Sequence, residues 1–291
     1  MIEVYSELTK EKLPVEFMNF PDNESFVKFD YSGESLNIVW KYENDSELIS
    51  LGLLYDIIRQ NTGWPEVRFD YVAAVPNLNL FVPYFPHARQ DREEVKSQPF
   101  SLRVISQILN SFFRTNYANE KVFCLDIHSN ALKKLIEYVD FNNIPSSNYS
   151  DDIETEYDYI ICPDKGAVDR CDSWGNKRST PVLYCQKVRD PSTGKLSDPI
   201  LPDIDLKDKR VLLVDDIGTG FGTHVMLAEQ FHNRHSNLTM DLWVTHSSWT
   251  RGKDIVLKVF DHVYTTDSLK GATQQNSDKI TVFDCTKYFF N

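Results

Sequence analysis

Residues 211–223, VLLVDDIGTGFGT, constrain this chain more than any other stretch of it. They run from an apolar segment through two adjacent acids and a turn rich in Gly and Thr into a helix-forming segment. The apolar run 211–214 reads as a buried strand, and the residues from Thr223 onward read as a helix. A strand that passes through a glycine-rich turn into a helix is a unit of a parallel α/β sheet, and such sheets bind ligands beyond the carboxyl ends of their strands. The turn offers unhindered backbone amides and a helix N-terminus to a phosphate. Asp215 and Asp216 can hold ribose hydroxyls, either directly or through magnesium. The segment has neither the lysine of a Walker A loop nor the spacing of a dinucleotide GxGxxG.

The rest of the chain repeats that alternation. Short apolar runs predict strands at 36–40, 71–75, 80–83, 122–127, 159–162, 182–185, 210–214, 242–245 and 262–265. Helices are expected at 48–60, 100–113, 131–138 and 223–231; in 100–113 the apolar residues Phe100, Val104, Ile105, Ile108, Leu109 and Phe112 fall at helical spacing. Strand–helix alternation implies parallel sheets covered by helices. The turn-rich stretch 141–152, FNNIPSSNYSDD, marks a boundary between domains 1–145 and 146–291. Residues 190–208 are proline-rich and long, as functional lids or irregular loops are.

Composition narrows the classes. With 291 residues, 41% hydrophobic and 25% charged, the chain is globular in type. A net charge of −12 argues against a nucleic-acid surface but leaves room for small phosphates held by a few local groups. No apolar run has the length a bilayer needs, and the N-terminus lacks the pattern of a secretory signal, so a cytoplasmic protein without membrane partners is expected. The five cysteines, Cys124, Cys162, Cys171, Cys185 and Cys285, form no CxxC pair, and neither a disulfide framework nor a zinc cluster is expected.

Two more segments carry chemistry. In VPYFPHARQDR, residues 82–92, Arg89 and Arg92 bracket Gln90 and Asp91. Guanidinium forks match phosphate, and an aromatic neighbour can stack on a base; the other reading is a solvated basic loop. In VFCLDIHSN, residues 122–130, a strand delivers Asp126 and His128 to one face and to its end, where they suit hydrated magnesium or a nucleotide phosphate. A structural histidine is the other reading.

These three segments, in this order, resemble the ribose-phosphate pyrophosphokinase (PRPP synthetase) family. NFPDNES at 19–25 resembles the family's FPDGE, with Asn23 in place of Gly, and ARQDR at 88–92 matches directly. CPDKGAVDR at 162–170, YCQKVRD at 184–190 and TTDS at 265–268 also have counterparts, so the resemblance covers essentially the whole chain. It implies two tandem phosphoribosyltransferase-type (type I) domains of α/β class, each a mainly parallel sheet flanked by helices. It implies ATP contacts for Phe20, Asp22, Glu24, Arg89, Gln90 and Asp91, and magnesium ligands in His128 and Asp164. Lys187 and Arg189 become the catalytic pair facing the leaving phosphates. Asp215, Asp216, Gly218, Thr219, Gly220, Phe221, Gly222 and Thr223 become the ribose-phosphate site, and a dimer-based homo-oligomer, up to a hexamer, is implied because the FPDGE segment reaches across a subunit interface in the family. The reaction implied is transfer of diphosphate from ATP to the anomeric hydroxyl of a ribose 5-phosphate unit, with AMP leaving.

The departures bear on the acceptor. Where the family reads DTAGT, this chain has Thr219, Gly220, Phe221, Gly222 and Thr223. Lys165, Gly166 and Ala167 replace a more neutral glycine-rich run, and an insertion-like stretch at 172–178 carries Trp174, which could stack on a base. Losing one loop hydroxyl and adding a phenyl changes what the loop can receive, and the added cation of Lys165 suits extra negative charge on the acceptor, so these changes would accommodate one whose 5-phosphate is esterified. Such an enzyme is known from bacteriophages, where a PRPP-synthetase-like protein pyrophosphorylates ADP-ribose and a partner transferase joins the product to nicotinamide to rebuild NAD. On that loop chemistry the expected acceptor is ADP-ribose in a host cytoplasm, with ordinary ribose 5-phosphate as the alternative. A phosphoribosyltransferase would share the loop; the ATP-side residues and the Lys187–Arg189 pair argue against it.

Overall fold

The computed structural model describes residues 1–61, 76–93, 95–113, 119–186 and 199–290. The strand expected at 71–75 lies outside them. The chain divides into two compact units, Met1–Asn143 with Phe289–Asn291, and Ile144–Tyr288.

The first unit opens with β1 (Ile2–Ser6) and β2 (Lys12–Leu13), followed by a hairpin of β3 (Val15–Asn19) and β4 (Ser25–Phe29). Then come β5 (Leu36–Trp40), α1 (Glu47–Asn61), β6 (Leu78–Val82), α2 (Ser101–Phe113), β7 (Glu120–Leu125), α3 (Ala131–Leu135) and β8 (Asp140–Ile144). The main sheet runs β2-β1-β5-β6-β7-β8. Its centre is parallel, with Leu36 opposite Leu78 and Leu78 opposite Glu120, while β1 joins its edge antiparallel. All five residues of β5 are buried, as in a strand covered on both faces. Leu51 and Leu54 of α1 and Leu109 and Phe113 of α2 pack in the same core as Leu36 and Ile38. Phe289 stacks on Phe81 with ring centroids 4.7 Å apart, which ties the C-terminal residues into this unit.

The second unit contains β9 (Tyr159–Cys162), α4 (Val168–Arg178), β10 (Val182–Tyr184), β11 (Arg210–Gly218), α5 (Gly222–Arg234), β12 (Thr239–Ser247), β13 (His262–Thr266) and β14 (Ile280–Phe283), and the short α6 (Lys287–Phe290) begins in it and ends in the first. Its sheet, β10-β9-β11-β12-β13-β14, is parallel throughout. Side chains alternate between the faces. Val211, Leu213, Leu242 and Val244 pack with Leu227 and Phe231 of α5. Trp243, between Leu242 and Val244, turns the other way and meets Trp174 at 4.8 Å and Tyr149 at 5.5 Å.

That packing corrects the expectation for residues 172–178. They form the second half of α4, and Trp174 is fully buried, its Nε1 donating to Ser146 Oγ at 3.1 Å. An indole so enclosed stacks on no base. Gly175 sits in this helix because a Cβ there would lie 2.5 Å from Val182 Cγ2 and 2.8 Å from the Thr180 carbonyl oxygen. The expected strand 122–127 ends earlier, at Leu125, and Asp126 leaves it with φ +46°. Asp126 and His128 therefore follow the strand rather than share one of its faces. All five cysteines are buried and free. Among the described residues no helix is long and apolar enough to cross a membrane.

Candidate functional site

The acids of residues 211–223 lie inside a strand, not after one. β11 continues through Asp215 and Asp216 to Gly218 because β12 is equally long and pairs with it as far as Gly218 opposite Ser247. Asp215 is held from several sides. Its Oδ1 accepts from the Asp216 amide at 3.0 Å, and its Oδ2 accepts from His224 Nε2 at 2.9 Å. Arg170 Nη1 of α4 lies 3.8 Å from Oδ1, with the arginine side chain only 7% exposed. Burial works to raise the Asp215 pKa, but the hydrogen bond and charge of His224, with Arg170 beyond, hold it below its ordinary 3.8. Asp215 is thus an oriented anion at the mouth of the sheet. Asp216, one residue on, is buried and faces the other way.

The turn that follows is shaped by Phe221. This residue caps α5 with φ +56°, a conformation that costs a bulky side chain energy. Its ring is 2% exposed and lies 4.8 Å from the Trp249 ring, within the core of the second unit. Gly218 makes the space: a Cβ there would come within 2.2 Å of a ring carbon of Phe221. The expectation that Phe221 lines the ribose-phosphate site therefore fails for its side chain, because the phenyl turns inward. Gly218 serves that packing and is itself buried. Thr219 and Gly220 are half-buried, and Gly222 and Thr223 are exposed, so the outward surface of the turn is glycine, threonine and backbone. The segment after β12 braces it. Thr250 donates to the Thr219 carbonyl from its amide at 3.0 Å and its hydroxyl at 2.9 Å, and the Ser248 amide donates to Gly218 at 3.1 Å.

The other expected residues lie as follows. Phe20, Asp22 and Glu24 are exposed at the tip of the β3–β4 hairpin, closed by the Phe20 amide donating to the Glu24 carbonyl at 2.8 Å. Arg89 and Gln90 are exposed and Asp91 half-buried in the turn after β6, where Asp91 lies 3.9 Å from Arg92. His128 is half-buried just beyond β7 in the first unit. Asp164 follows β9 in the second unit, and its Oδ1 accepts from the Gly166 amide at 2.8 Å. Because β9 is the parallel neighbour of β11, Asp164 and Asp215 emerge at the same end of the sheet. Lys187 and Arg189 lie outside the described residues. The segment beyond them is anchored where it resumes: Gln186 and Ile200 exchange backbone hydrogen bonds at 3.0 and 2.8 Å, and Leu206 is fully buried.

Magnesium is the metal these donors suit. Among the described residues the one group of three potential ligands is Asp267, Asp284 and Cys285, at the ends of β13 and β14. His128 and Asp164 belong to no such cage. A cation that keeps most of its waters and takes the rest of its shell from substrate phosphates needs no cage, and magnesium behaves so. Arg170, His224 and Arg251 were not singled out by sequence reasoning. Arg170 stood within a quoted motif. His224 and Arg251 reach the turn through tertiary contacts that no local pattern announces.

No family model matches the chain. Curated relatives do. A ribose-phosphate pyrophosphokinase from Saccharolobus solfataricus is 30% identical over 228 residues, 72% of this chain and 69% of that protein. One from Thermoplasma acidophilum is 24% identical over 277 residues, 92% of this chain and 88% of that protein. Among solved structures, a phosphoribosylpyrophosphate synthetase from Mycobacterium smegmatis superposes with a TM-score of 0.75 at 17% identity, covering 98% of this chain and 90% of that one. That likeness shows the fold: two tandem phosphoribosyltransferase-type domains with mainly parallel sheets.

Two measurements test this geometry. Gly218→Ala drives a methyl into the Phe221 ring and is expected to cost about 1–3 kcal/mol in chemical denaturation; combined with Phe221→Ala the two costs should add to less than their sum. Strict additivity would separate the two residues. For Asp215, a folded-state pKa below the unfolded value contributes stability that is complete above the unfolded value and lost as pH falls through the folded one. Asp215→Asn should therefore lower the melting temperature most above about pH 5, with the gap to the parent narrowing below about pH 4. A gap that does not change with pH would take charge out of the account.

Proposed function

Because this chain belongs to the ribose-phosphate pyrophosphokinase family, we propose that it transfers the diphosphate of ATP to the anomeric hydroxyl of ribose 5-phosphate and releases AMP. As a member of that family it is an enzyme, a diphosphotransferase. The observation that carries the acceptor is the burial of Phe221. The ADP-ribose reading drew on the altered loop, on the Lys165 cation and on two rings, Phe221 and Trp174; Lys165 is exposed, but both rings are turned into the core. The names of the relatives favour ribose 5-phosphate as well.

In this reading the backbone amides of the turn 219–223 and the hydroxyls of Thr219 and Thr223 hold the 5-phosphate. Asp215 orients the ribose hydroxyls and is held ready for that by His224 and Arg170; Asp216, the second acid of the expected pair, is buried on the opposite face of the strand. Phe20, Asp22, Glu24, Arg89, Gln90 and Asp91 bind ATP. His128 and Asp164 hold magnesium, which supplies charge neutralisation on the phosphates when bound. Lys187 and Arg189 stabilise charge developing on the transferred group. Catalysis of this transfer is chiefly positioning and charge neutralisation. The exposed apolar residues of the hairpin, Met18, Phe20 and Phe26, favour docking against a second copy of the chain.

Incubation with ATP-magnesium and either ribose 5-phosphate or ADP-ribose, followed by mass spectrometry, tests the reading. AMP and a diphosphorylated pentose phosphate are expected from the first acceptor. Product from ADP-ribose alone would overturn the acceptor, and no AMP with either would overturn the reaction. Lys187→Ala and Arg189→Ala should each slow turnover by roughly 3–4 kcal/mol of activation free energy. Near-native turnover in either variant would remove that residue from the catalytic pair.

A further inference from the structure

We propose that Arg251 binds the phosphate of the acceptor and sets the preference for a terminal phosphomonoester. The inference rests on the reading of residues 219–223 as the acceptor's phosphate cradle. The side chain of Arg251 crosses the outer surface of that turn. A Cβ on Gly220 would lie 3.4 Å from both Cδ and Nε of Arg251, and one on Gly222 would lie 3.7 Å from its Nη1. The stem thus passes Gly220 and the guanidinium reaches Gly222, the first residue of α5. Both are van der Waals contact distances, so the arginine lies directly against the turn.

The placement is built rather than incidental. Trp249 takes φ +52° to seat its ring on Phe221, and Thr250 fastens the segment to the Thr219 carbonyl through two hydrogen bonds. Arg251 is the next residue. It is exposed, and among the described residues it has no ion-pair or hydrogen-bond partner. Residues 211–224 contain two aspartates and no Lys or Arg. The nearby Arg170 is turned to Asp215. A phosphate entering the turn thus meets backbone donors, hydroxyls and acids from the loop itself and, among the described residues that reach the turn, the guanidinium of Arg251. Two charges concentrated on one terminal phosphate match a planar fork better than the single charge of an esterified one.

The test uses the full chain with Arg251→Ala and Arg251→Lys. Binding of ribose 5-phosphate and of unphosphorylated ribose is measured by calorimetry without ATP, alongside steady-state kinetics. Arg251→Ala should weaken ribose 5-phosphate binding and raise its KM about ten- to a hundredfold, with ribose binding, the KM for ATP and kcat changed less than about twofold. Arg251→Lys should recover part of the loss, since charge is kept and the fork is not. Melting temperatures should match, because the side chain has no partner to lose. Unchanged affinity for ribose 5-phosphate in Arg251→Ala, or a rise confined to the KM for ATP, would overturn the proposal. The two readings fail separately. A parent protein that binds ribose 5-phosphate through Arg251 but forms no product would sink the reaction and keep the residue's role. A parent that turns over normally with Arg251→Ala unaltered would do the reverse.

Discussion

The ring of Phe221 is the hinge on which the acceptor loop depends. A phenylalanine at positive φ is strained, and the strain persists only because the ring is buried against Trp249 in the core of the second unit. The same contact explains Gly218, which has no room for a Cβ, and fixes the start of α5 at Gly222. It also explains why a loop that follows β12, some thirty positions further along the chain, is fastened to the turn. With the ring gone inward, what remains outside is small, polar and rich in amides. Phosphate cradles need little more than that, provided the backbone does not move.

A second constraint is electrostatic. The chain carries a net charge of −12, yet the substrates proposed for it are polyanions. Diffuse positive charge is not available, so cations must be placed singly. Arg170 and His224 serve Asp215, holding its carboxyl below the ordinary range against the opposing effect of burial. Their effect is to keep one carboxylate ionised and fixed at the end of β11, where it can accept hydrogen bonds from sugar hydroxyls. Arg251 stands apart from that group, over the loop and with no ion-pair partner among the described residues. Arg170 and His224 orient an acid, and a different side chain, Arg251, faces the ligand side. The division lets two carboxylates and a phosphate occupy neighbouring positions.

Much of the fold was legible because parallel strands buried on both faces read as unbroken apolar runs. IVW within β5 and YIIC in β9 show this, and both strands have the expected limits. β1, with the sequence IEVYS, alternates instead, and so joins as an antiparallel edge that apolar runs do not reveal. α4 escaped notice for the opposite reason. VDRCDSWGNKR is polar, holds an internal glycine, and buries only Cys171, Trp174 and Gly175. Its helical identity comes from packing on β9 and β11, a fact of the tertiary structure. β11 was read too short because Asp215 and Asp216 look like the end of a strand. Their pairing partners in β12 carry the strand through them. In the site, motif residues could be placed by order alone, whereas His224 and Arg251 become visible only when nine and some thirty positions of intervening chain have folded back.

The acceptor shows how position in a motif differs from position in space. Phe221 and Trp174, taken in sequence, look like surfaces offered to a nucleoside. An adenosine held beyond the 5-phosphate would need an exposed aromatic face or an apolar wall near the turn. Three large rings stand close in sequence to the turn and its neighbouring segments, and Phe221, Trp174 and Trp249 are all buried. Each is occupied with another ring: Phe221 with Trp249, Trp174 with Trp243. The groups left at the surface of the turn recognise charge and not bases. Glycine amides, two hydroxyls and the Arg251 guanidinium suit an acceptor that ends at its phosphate, and none of these groups of the turn offers an aromatic face to an attached nucleoside.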